Sequence, residues 1–421
     1  MNKYLGEQLG FKLSGIDRRV HILSFGWLVN SAGFAMVIPF ISIYFHRDLH
    51  ISLTAIGLFF GVSAVLRTIP QPFAGWLSDR FGRVPILVWS QILRAMTFFG
   101  VGYMILQEMG FWPVATLIGA NYVFGAMLHP AANAMVADST ESDKRLSAFA
   151  WMRIAGNLGW ALGPAMGGFI AHESYGLLFF VAGILTFASG LFFFLMVKET
   201  TPTIDREQFR FNLKDILNLR QNKRLFEHCL ITLVLFLAVA QLIAALSVYS
   251  VETIGISQAE LGTLYAINGF MVVLFQLPIS HSLRKFSLTN QLAVGSVIYT
   301  IGYFLVGIAA GFGFLVFCMV VITIGEMVVS PPAMTIAANL SPAGYHGRYM
   351  GIFGLFQAAG WSLGPTVGGI LLDVFHSQPL MMWTSISLLG LAACGLYVNF
   401  GHKLPAYVNN KVVSPAEYES N

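Results

Sequence analysis

About twelve apolar stretches run along this chain, each at least roughly 18 residues long, and that length is what an α-helix needs to cross the hydrocarbon of a bilayer. Their approximate centres are Gly33, Leu66, Ala95, Phe124, Gly156, Leu185, Ala238, Phe270, Tyr299, Ile322, Gln357 and Leu389. Backbone amides in lipid need partners within their own segment, so each stretch has to be a helix. Composition agrees. Charged residues are 10% of the chain, against roughly 25% in a soluble domain. Mean hydropathy is +0.70.

The chain also repeats itself. Gly159-Trp-Ala-Leu-Gly-Pro-Ala-Met-Gly-Gly168 returns as Gly360-Trp-Ser-Leu-Gly-Pro-Thr-Val-Gly-Gly369, an offset of 360 − 159 = 201 in 421 residues. At the same offset Pro130 matches Pro331, Ala137 matches Ala338, Asp138 faces Asn339 and Arg83 matches Arg284. Two similar halves are the expected architecture, with a substrate site at their interface. The expected division is a six-helix bundle over 1–197, a linker over 198–224, and a second bundle with a polar tail over 225–421. Within the linker, Thr200-Thr-Pro202 reads as a helix stop, and Phe209-Arg-Phe-Asn-Leu-Lys-Asp-Ile-Leu217 reads as a short amphipathic helix on the membrane surface.

Basic residues orient the helices. Of 24, all but four fall on one side: Lys3, Lys12, Arg18 and Arg19; Arg80 and Arg83; Lys144 and Arg145; seven from Lys198 to Arg224; Arg284 and Lys285; Arg348; Lys403 and Lys411. Arg47 lies in the first loop opposite, and Arg67, Arg94 and Arg153 lie inside the stretches. The positive-inside rule puts both termini and the central loop in the cytoplasm. The net charge of +4 then reflects topology, not a nucleic-acid partner. About 20 polar residues precede the first stretch, which reads as an uncleaved anchor. Cys229, Cys318 and Cys394 lie in three different stretches, so neither a disulfide framework nor a metal site is expected.

Between the second and third stretches stands Gly75-Trp-Leu-Ser-Asp79-Arg80-Phe-Gly82-Arg83. It resembles the signature loop of the major facilitator superfamily, G-x-L-x-D-R-x-G-R, at every specified position. The repeated Gly-Pro tract resembles a motif of that superfamily's proton-coupled drug antiporters. The resemblance implies the superfamily's fold: an all-α membrane protein with twelve transmembrane helices in two pseudo-symmetric six-helix bundles. It also implies a bacterial inner membrane, a functional monomer, and Asp79 docking against the start of span eleven near Tyr349, where a helix N-terminus favours negative charge. Such a contact latches one face shut in one state and breaks in the other. Gly75, Arg80, Gly82, Arg83 and Asp138 are placed to join that gate. In the Gly-Pro tracts, Gly159, Gly163, Pro164, Gly167, Gly364 and Pro365 let helices pack closely or bend, in a gating or a purely packing role. The second half carries Gln276-Leu-Pro-Ile-Ser280 where the first has its acidic loop, so that copy has lost the acid.

Glu326 is the one carboxylate well inside a span. Ionisable groups there cost at least about 2.5–3.5 kcal/mol and are functional candidates by default. By the resemblance, spans one, four, seven and ten line a central cavity, which places Glu326 there to bind a proton or a cationic substrate. The alternative is a structural pair with one of the buried arginines. Arg153 and His129 are the other proton-coupling candidates, an imidazole being able to exchange protons near neutral pH. Arg67 with Gln71, and Arg153 with Asn157, form polar stripes one turn long. Further cavity candidates are Asn30, Phe34, Asn121, Asn133, Gln241, Asn268, Gln357 and Trp361. Arg94 is expected at the periphery, snorkelling or pairing locally. One departure from the antiporter pattern matters: its span-four arginine, R-x-x-x-G, is here Asn121-Tyr-Val-Phe-Gly125. A coupling role for that charge has to fall to Arg153 or Arg67.

These features describe a transporter of small molecules that works by alternating access in the lipid bilayer. The expected function is proton-coupled export of small amphiphilic compounds. Three arginines against one carboxylate motivate an alternative, export or exchange of an anionic or zwitterionic metabolite. The nucleotide motif G-x-x-x-x-G-K-S/T is absent, so an ion gradient is the expected driving force and no cofactor is expected. A membrane enzyme would need clustered His, Asp, Ser or Cys at membrane depth, and the sequence has no such cluster.

Overall fold

The computed structural model describes residues 17–51, 53–200, 222–242, 245–342, 345–375 and 377–409, and no strand occurs among them. Span 1 runs as Arg18–Ala35 and, after a break at Met36 and Val37, as Ile38–Arg47. Span 2 is also in two pieces, Leu53–Thr68 and Gln71–Phe81. Pro70 and Pro72 explain that break, since proline has no amide to donate and its ring crowds the preceding turn. Spans 3 to 6 are Arg83–Leu106, Phe111–Ser139, Arg145–Glu173 and Tyr175–Met196. Span 7 is Lys223–Val239 and ends in a tight turn, Ala240–Leu242. Spans 8 to 12 are Gln258–Ser282, Leu288–Val306, Phe312–Asn339, His346–Val374 and Pro379–Gly401.

Among the described residues, seven stretches are long and apolar enough by themselves to cross a membrane: spans 3, 4, 6, 8, 10 and 12, and span 7 when taken on to Val251. The other expected crossings fall short for reasons visible in their residues. Spans 1 and 2 are broken, spans 5 and 11 carry the glycine tracts, and span 9 opens on Thr289, Asn290 and Gln291. Large apolar side chains point outward, Phe169 at 83% and Trp112 at 77% exposure, as a lipid-facing surface requires and a water-facing one penalises. Most of the expected linker, with its surface helix over 209–217, lies at 201–221, outside the described residues. Lys3, Lys12, Lys411 and the tail from 410 lie outside them too.

The halves are built alike. In the first, span 3 packs on spans 4 and 6, and span 1 on spans 5 and 6; in the second, span 9 packs on 10 and 12, and span 7 on 11 and 12. Between halves, span 11 meets spans 2 and 4, and span 5 answers by meeting spans 8 and 10.

The Gly-Pro repeat is a seam inside each half, not a contact between them. A Cβ on Gly159, Gly163 or Gly167 would stand 2.6, 2.6 and 2.3 Å from the carbonyl oxygens of Leu28, Ala32 and Met36. Three glycines four apart thus lie on three carbonyls four apart, so spans 5 and 1 touch backbone to backbone. In the second half Gly360, Gly364 and Gly368 lie against the side chains of Phe236, Ala240 and Gln241, in span 7 and the turn that ends it, with the Leu233 and Leu237 carbonyls at 2.9 and 3.3 Å from a Cβ on the first two. Spans 5 and 11 continue through Pro164 and Pro365 as single helices. Cys229 and Cys318 are buried and Cys394 is half-buried, each on a different span.

Candidate functional site

The sequence's signature loop builds one end of the molecule, the basic face. Gly82 takes φ +103°, a left-handed conformation that favours glycine, and turns the chain from span 2 into span 3. The new helix start is capped from a distance: Glu199, just past span 6, accepts from the amides of Arg83 and Val84, each at 3.0 Å. Asp79 accepts from the amides of Gly347 (2.9 Å) and Arg348 (2.7 Å) at the start of span 11, as the resemblance implied. Arg83 is fully buried and bonds Asp79 and Ser78 on one side and Asp138 (2.9 Å) on the other. Asp138 reaches across to His346 Nδ1 at 2.5 Å. One chain of charge therefore joins spans 2, 3, 4 and 11. Gly75 makes the approach possible, since its Cβ would stand 2.2 Å from the Gly347 carbonyl.

The same joint is made a second time. Arg145 at the start of span 5 donates to Asn339 at the end of span 10 (2.9 Å), and it also donates to the Ala137 carbonyl (3.0 Å). At the repeat offset, 145 + 201 = 346 and 138 + 201 = 339, so Arg145–Asn339 is the counterpart of His346–Asp138. Arg284 adds a further bond between halves, to Ser147 at 2.6 Å. Sequence reasoning missed His346, Arg145, Ser147 and Glu199. The Asp138/Asn339 match was a signal for the first two; nothing in the sequence marked Glu199. Arg80 does not join this network: it is exposed and stands over the Trp76 ring at 5.3 Å. Gln276 bonds Ser280 and the Met327 carbonyl, so the acid-free second loop is tied within its own half.

At mid-depth, one ion pair spans the halves. Arg153 of span 5 donates to Glu326 of span 10 at 2.5 Å and to Ser330 at 2.6 Å. The other carboxylate oxygen accepts from Asn268 of span 8 at 2.7 Å, and Asn268 also holds Thr323. Asn157 donates to the Arg153 carbonyl. The side chains are 18% and 12% exposed, so the pair is largely withdrawn from water. Both the coupling and the structural-pair expectations for Glu326 led here; Arg153 is the arginine that answers it. His129 is not brought to this pair and instead meets the Trp27 ring edge-on at 4.7 Å.

Arg94 overturns its expected place. It is 3% exposed, turned inward between spans 1, 3 and 4, with Asn30 at 2.6 Å and Asn121 and Gln91 at 3.4 Å. The Phe34 ring covers its guanidinium at 4.9 Å. Three amide side chains in reach draw it away from the membrane surface. The positive charge that the antiporter pattern puts on span 4 thus stands beside Asn121, delivered by span 3 and not by Arg153 or Arg67. Asn121 also donates to Thr97.

Other cavity expectations divide. Gln71 is buried, bonds the Arg67 carbonyl across the span 2 break, and packs on Gly351 and Gly354 of span 11, so it belongs to the contact between halves. Gln241 is sealed between spans 7 and 11, donating to the Leu237 and Gly364 carbonyls at 2.8 Å. Both correct the expectation of an open lining, because each amide is consumed where a helix breaks or another helix crosses. Asn133, Gln357 and Trp361 are half-buried, the last against Phe236.

Comparison with known proteins places this geometry. The family model described as Major Facilitator Superfamily matches residues 23–365 and again 229–400. The chain is 28% identical over 383 residues to the uncharacterized MFS-type transporter YttB of Bacillus subtilis, covering 89% of this chain and 93% of that protein. It is 24% identical over 386 residues to the quinolone resistance protein NorA of Staphylococcus aureus, covering 89% and 95%. Among solved structures, the human organic anion transporter MFSD10 aligns with TM-score 0.75 at 17% identity over 90% of this chain and 99% of that one. A bacterial homologue of ferroportin in its outward-facing state aligns with TM-score 0.72 at 15% identity over 92% and 100%. At those identities the structures speak to fold alone.

Proposed function

The chain belongs to the major facilitator superfamily, and from that premise we propose that it exports small amphiphilic compounds across a bacterial inner membrane in exchange for protons. Membership makes it a membrane transporter and not an enzyme. The observation that carries the finer reading is the Arg153–Glu326 pair, which ties the two halves together at membrane depth. A proton on Glu326 turns an ion pair in a low-dielectric setting into a contact between a cation and a neutral acid, and most of its attraction disappears. The halves then keep the Arg153–Ser330 bond and the basic-face bonds but lose the mid-depth ion pair, and can rock about the centre. In this cycle a proton arriving from outside releases Arg153 and the basic face opens. The proton leaves to the cytoplasm, substrate enters from there, and reclosure returns the pair.

Likeness to the resistance protein supports efflux as the direction. Both termini and the linker 198–224 face the cytoplasm in this reading. The bundles 1–197 and 225–421 move as the two rocking bodies, and a single chain suffices. The test is reconstitution into liposomes with an imposed pH gradient, following cationic dyes and organic anions in parallel. Gradient-driven flux of at least one class is expected; flux indifferent to the gradient for every compound rejects proton coupling.

The latch carries a separate expectation. Asp79→Asn keeps the side-chain shape but removes the charge from the helix start and from Arg83. A loss of about 1–2 kcal/mol in the closed face is expected. Turnover should fall about tenfold, with substrate binding retained. Vesicle transport rates set against binding in detergent check this; unchanged turnover would remove the latch from the cycle.

A further inference from the structure

Among the described residues, two guanidinium groups in the first half have no protein anion to answer them. Residues 18–47, 53–78, 84–107, 109–137, 145–172 and 174–198 contain no Asp or Glu, yet they carry Arg67, Arg94 and Arg153. Glu326 is committed to Arg153. Arg94 is solvated only by amides, those of Asn30, Gln91 and Asn121. Arg67 is half-buried; its carbonyl accepts from Gln71, but among the described residues its guanidinium makes no hydrogen bond or ion pair. A guanidinium stays protonated at any working pH, so neither charge can be discarded as a lysine's can. A cation at this depth is costly unless something negative meets it.

The surroundings say what shape of anion fits. Span 2 packs on span 4 beside Arg67: a Cβ on Gly119 would stand 3.3 Å from the Leu66 side chain, and Tyr122 lies one turn further along span 4. Phe34, lying over Arg94, meets Tyr122 edge-on at 5.9 Å and Trp160 of span 5 at 6.2 Å. Trp160 is 49% exposed, so the aromatic wall has an open side. Spans 1 to 5 thus bring together two fixed positive charges, one hydroxyl and an aromatic surface.

We infer that this cluster is the subsite for the charged end of the transported compound, and that the compound is an aromatic organic anion carrying a carboxylate or sulfonate. Arg67 holds the acidic group through its planar fork of donors. Tyr122 adds a hydroxyl bond, Arg94 supplies a second positive charge from behind Phe34, and the rings of Phe34 and Trp160 cover the aromatic body. The inference rests on the export reading for the direction of movement, but not for binding.

The test uses the full chain in lipid nanodiscs and three probes of one shape: 2-naphthoate, 2-naphthamide and (2-naphthyl)methylammonium, followed by calorimetry. Naphthoate is expected to bind at least about tenfold more tightly than either of the others. Arg67→Gln should erase that preference, and Arg67→Lys should keep part of it. Arg94→Gln should weaken it as well. Should a variant fail to fold, the wild-type comparison decides alone. Equal binding of anion and cation, no naphthoate binding at millimolar concentration, or an unchanged preference in a folded Arg67→Gln overturns the inference. Binding needs no gradient, so the two readings fail separately. Anion-selective binding without gradient-driven transport sinks the coupling proposal only, and proton-driven export of a cation without anion binding sinks this one only.

Discussion

Glu326→Gln is expected to abolish proton-driven export while leaving a folded protein. The amide has the shape of the carboxyl but neither its charge nor its capacity to carry a proton, so no mid-depth group remains to couple proton entry to the release of Arg153. Flux under a pH gradient should fall at least about 100-fold, the scale on which losing a positioned acid–base group is felt. Stability should suffer less. Removing one partner of a fully buried pair costs about 3–5 kcal/mol, but Arg153 and Glu326 are 18% and 12% exposed and Arg153 keeps Ser330. A loss nearer about 1–3 kcal/mol is therefore expected. Adding Arg153→Gln should recover stability without recovering transport, because the unpaired cation is gone and the proton carrier is still missing. Vesicle flux, with size-exclusion profile and melting temperature as controls, separates the two effects. Wild-type flux in the single variant would falsify the assignment of Glu326 to coupling.

Gly75→Val should hold the basic face open. Its Cβ would stand 2.2 Å from the Gly347 carbonyl oxygen and 3.2 Å from the Arg348 Cα, and neither atom can rotate aside. Relief requires spans 2 and 11 to separate, which takes Asp79 away from both amides it accepts. Overpacking a close contact costs about 1–3 kcal/mol, and a backbone-to-backbone clash belongs at the upper end. The closed state should lose about ten- to a hundredfold in population. Spin labels at the basic ends of these spans should show a longer distance by pulsed electron resonance, and transport should stop for want of reclosure. Gly75→Ala is the milder version of the same experiment. A wild-type distance distribution in Gly75→Val would mean that the two helices are not in contact in the working protein.

The turn at Gly82 is legible in the sequence because near neighbours decide its chemistry, whereas Arg80, in the same loop, stands exposed over Trp76 and not in the gate. The loop from Gly75 to Arg83 announces a tight turn and an acid at a rim, and the turn at Gly82 follows from that pattern, whereas the docking of Asp79 on span 11 was implied by the family resemblance. The Gly-Pro tracts announced close packing, though their partner is the adjacent span of the same half and not the opposite half. Arg94 was misread for the opposite reason. A guanidinium in an apolar helix has a default, to reach for the membrane surface, and only the convergence of Asn30, Gln91 and Asn121 from two other spans and its own reverses it. Gln71 and Gln241 were misread likewise, since a polar residue in a span looks the same in sequence whether it faces a cavity or caps a break.

Apolar length, the positions of glycine and proline, and the repeat at 201 residues are one-dimensional quantities, and they were enough to determine helices and a duplicated plan, while the loop from Gly75 to Arg83 carried the resemblance to a transporter superfamily that the family model shows. Which of three arginines meets the lone mid-span carboxylate, and which two are left facing no acid, was decided by tertiary structure alone. The reason is range: hydrogen-bond geometry acts over about 3 Å, and only folding brings Arg153 to Glu326 while leaving Arg67 without an acid.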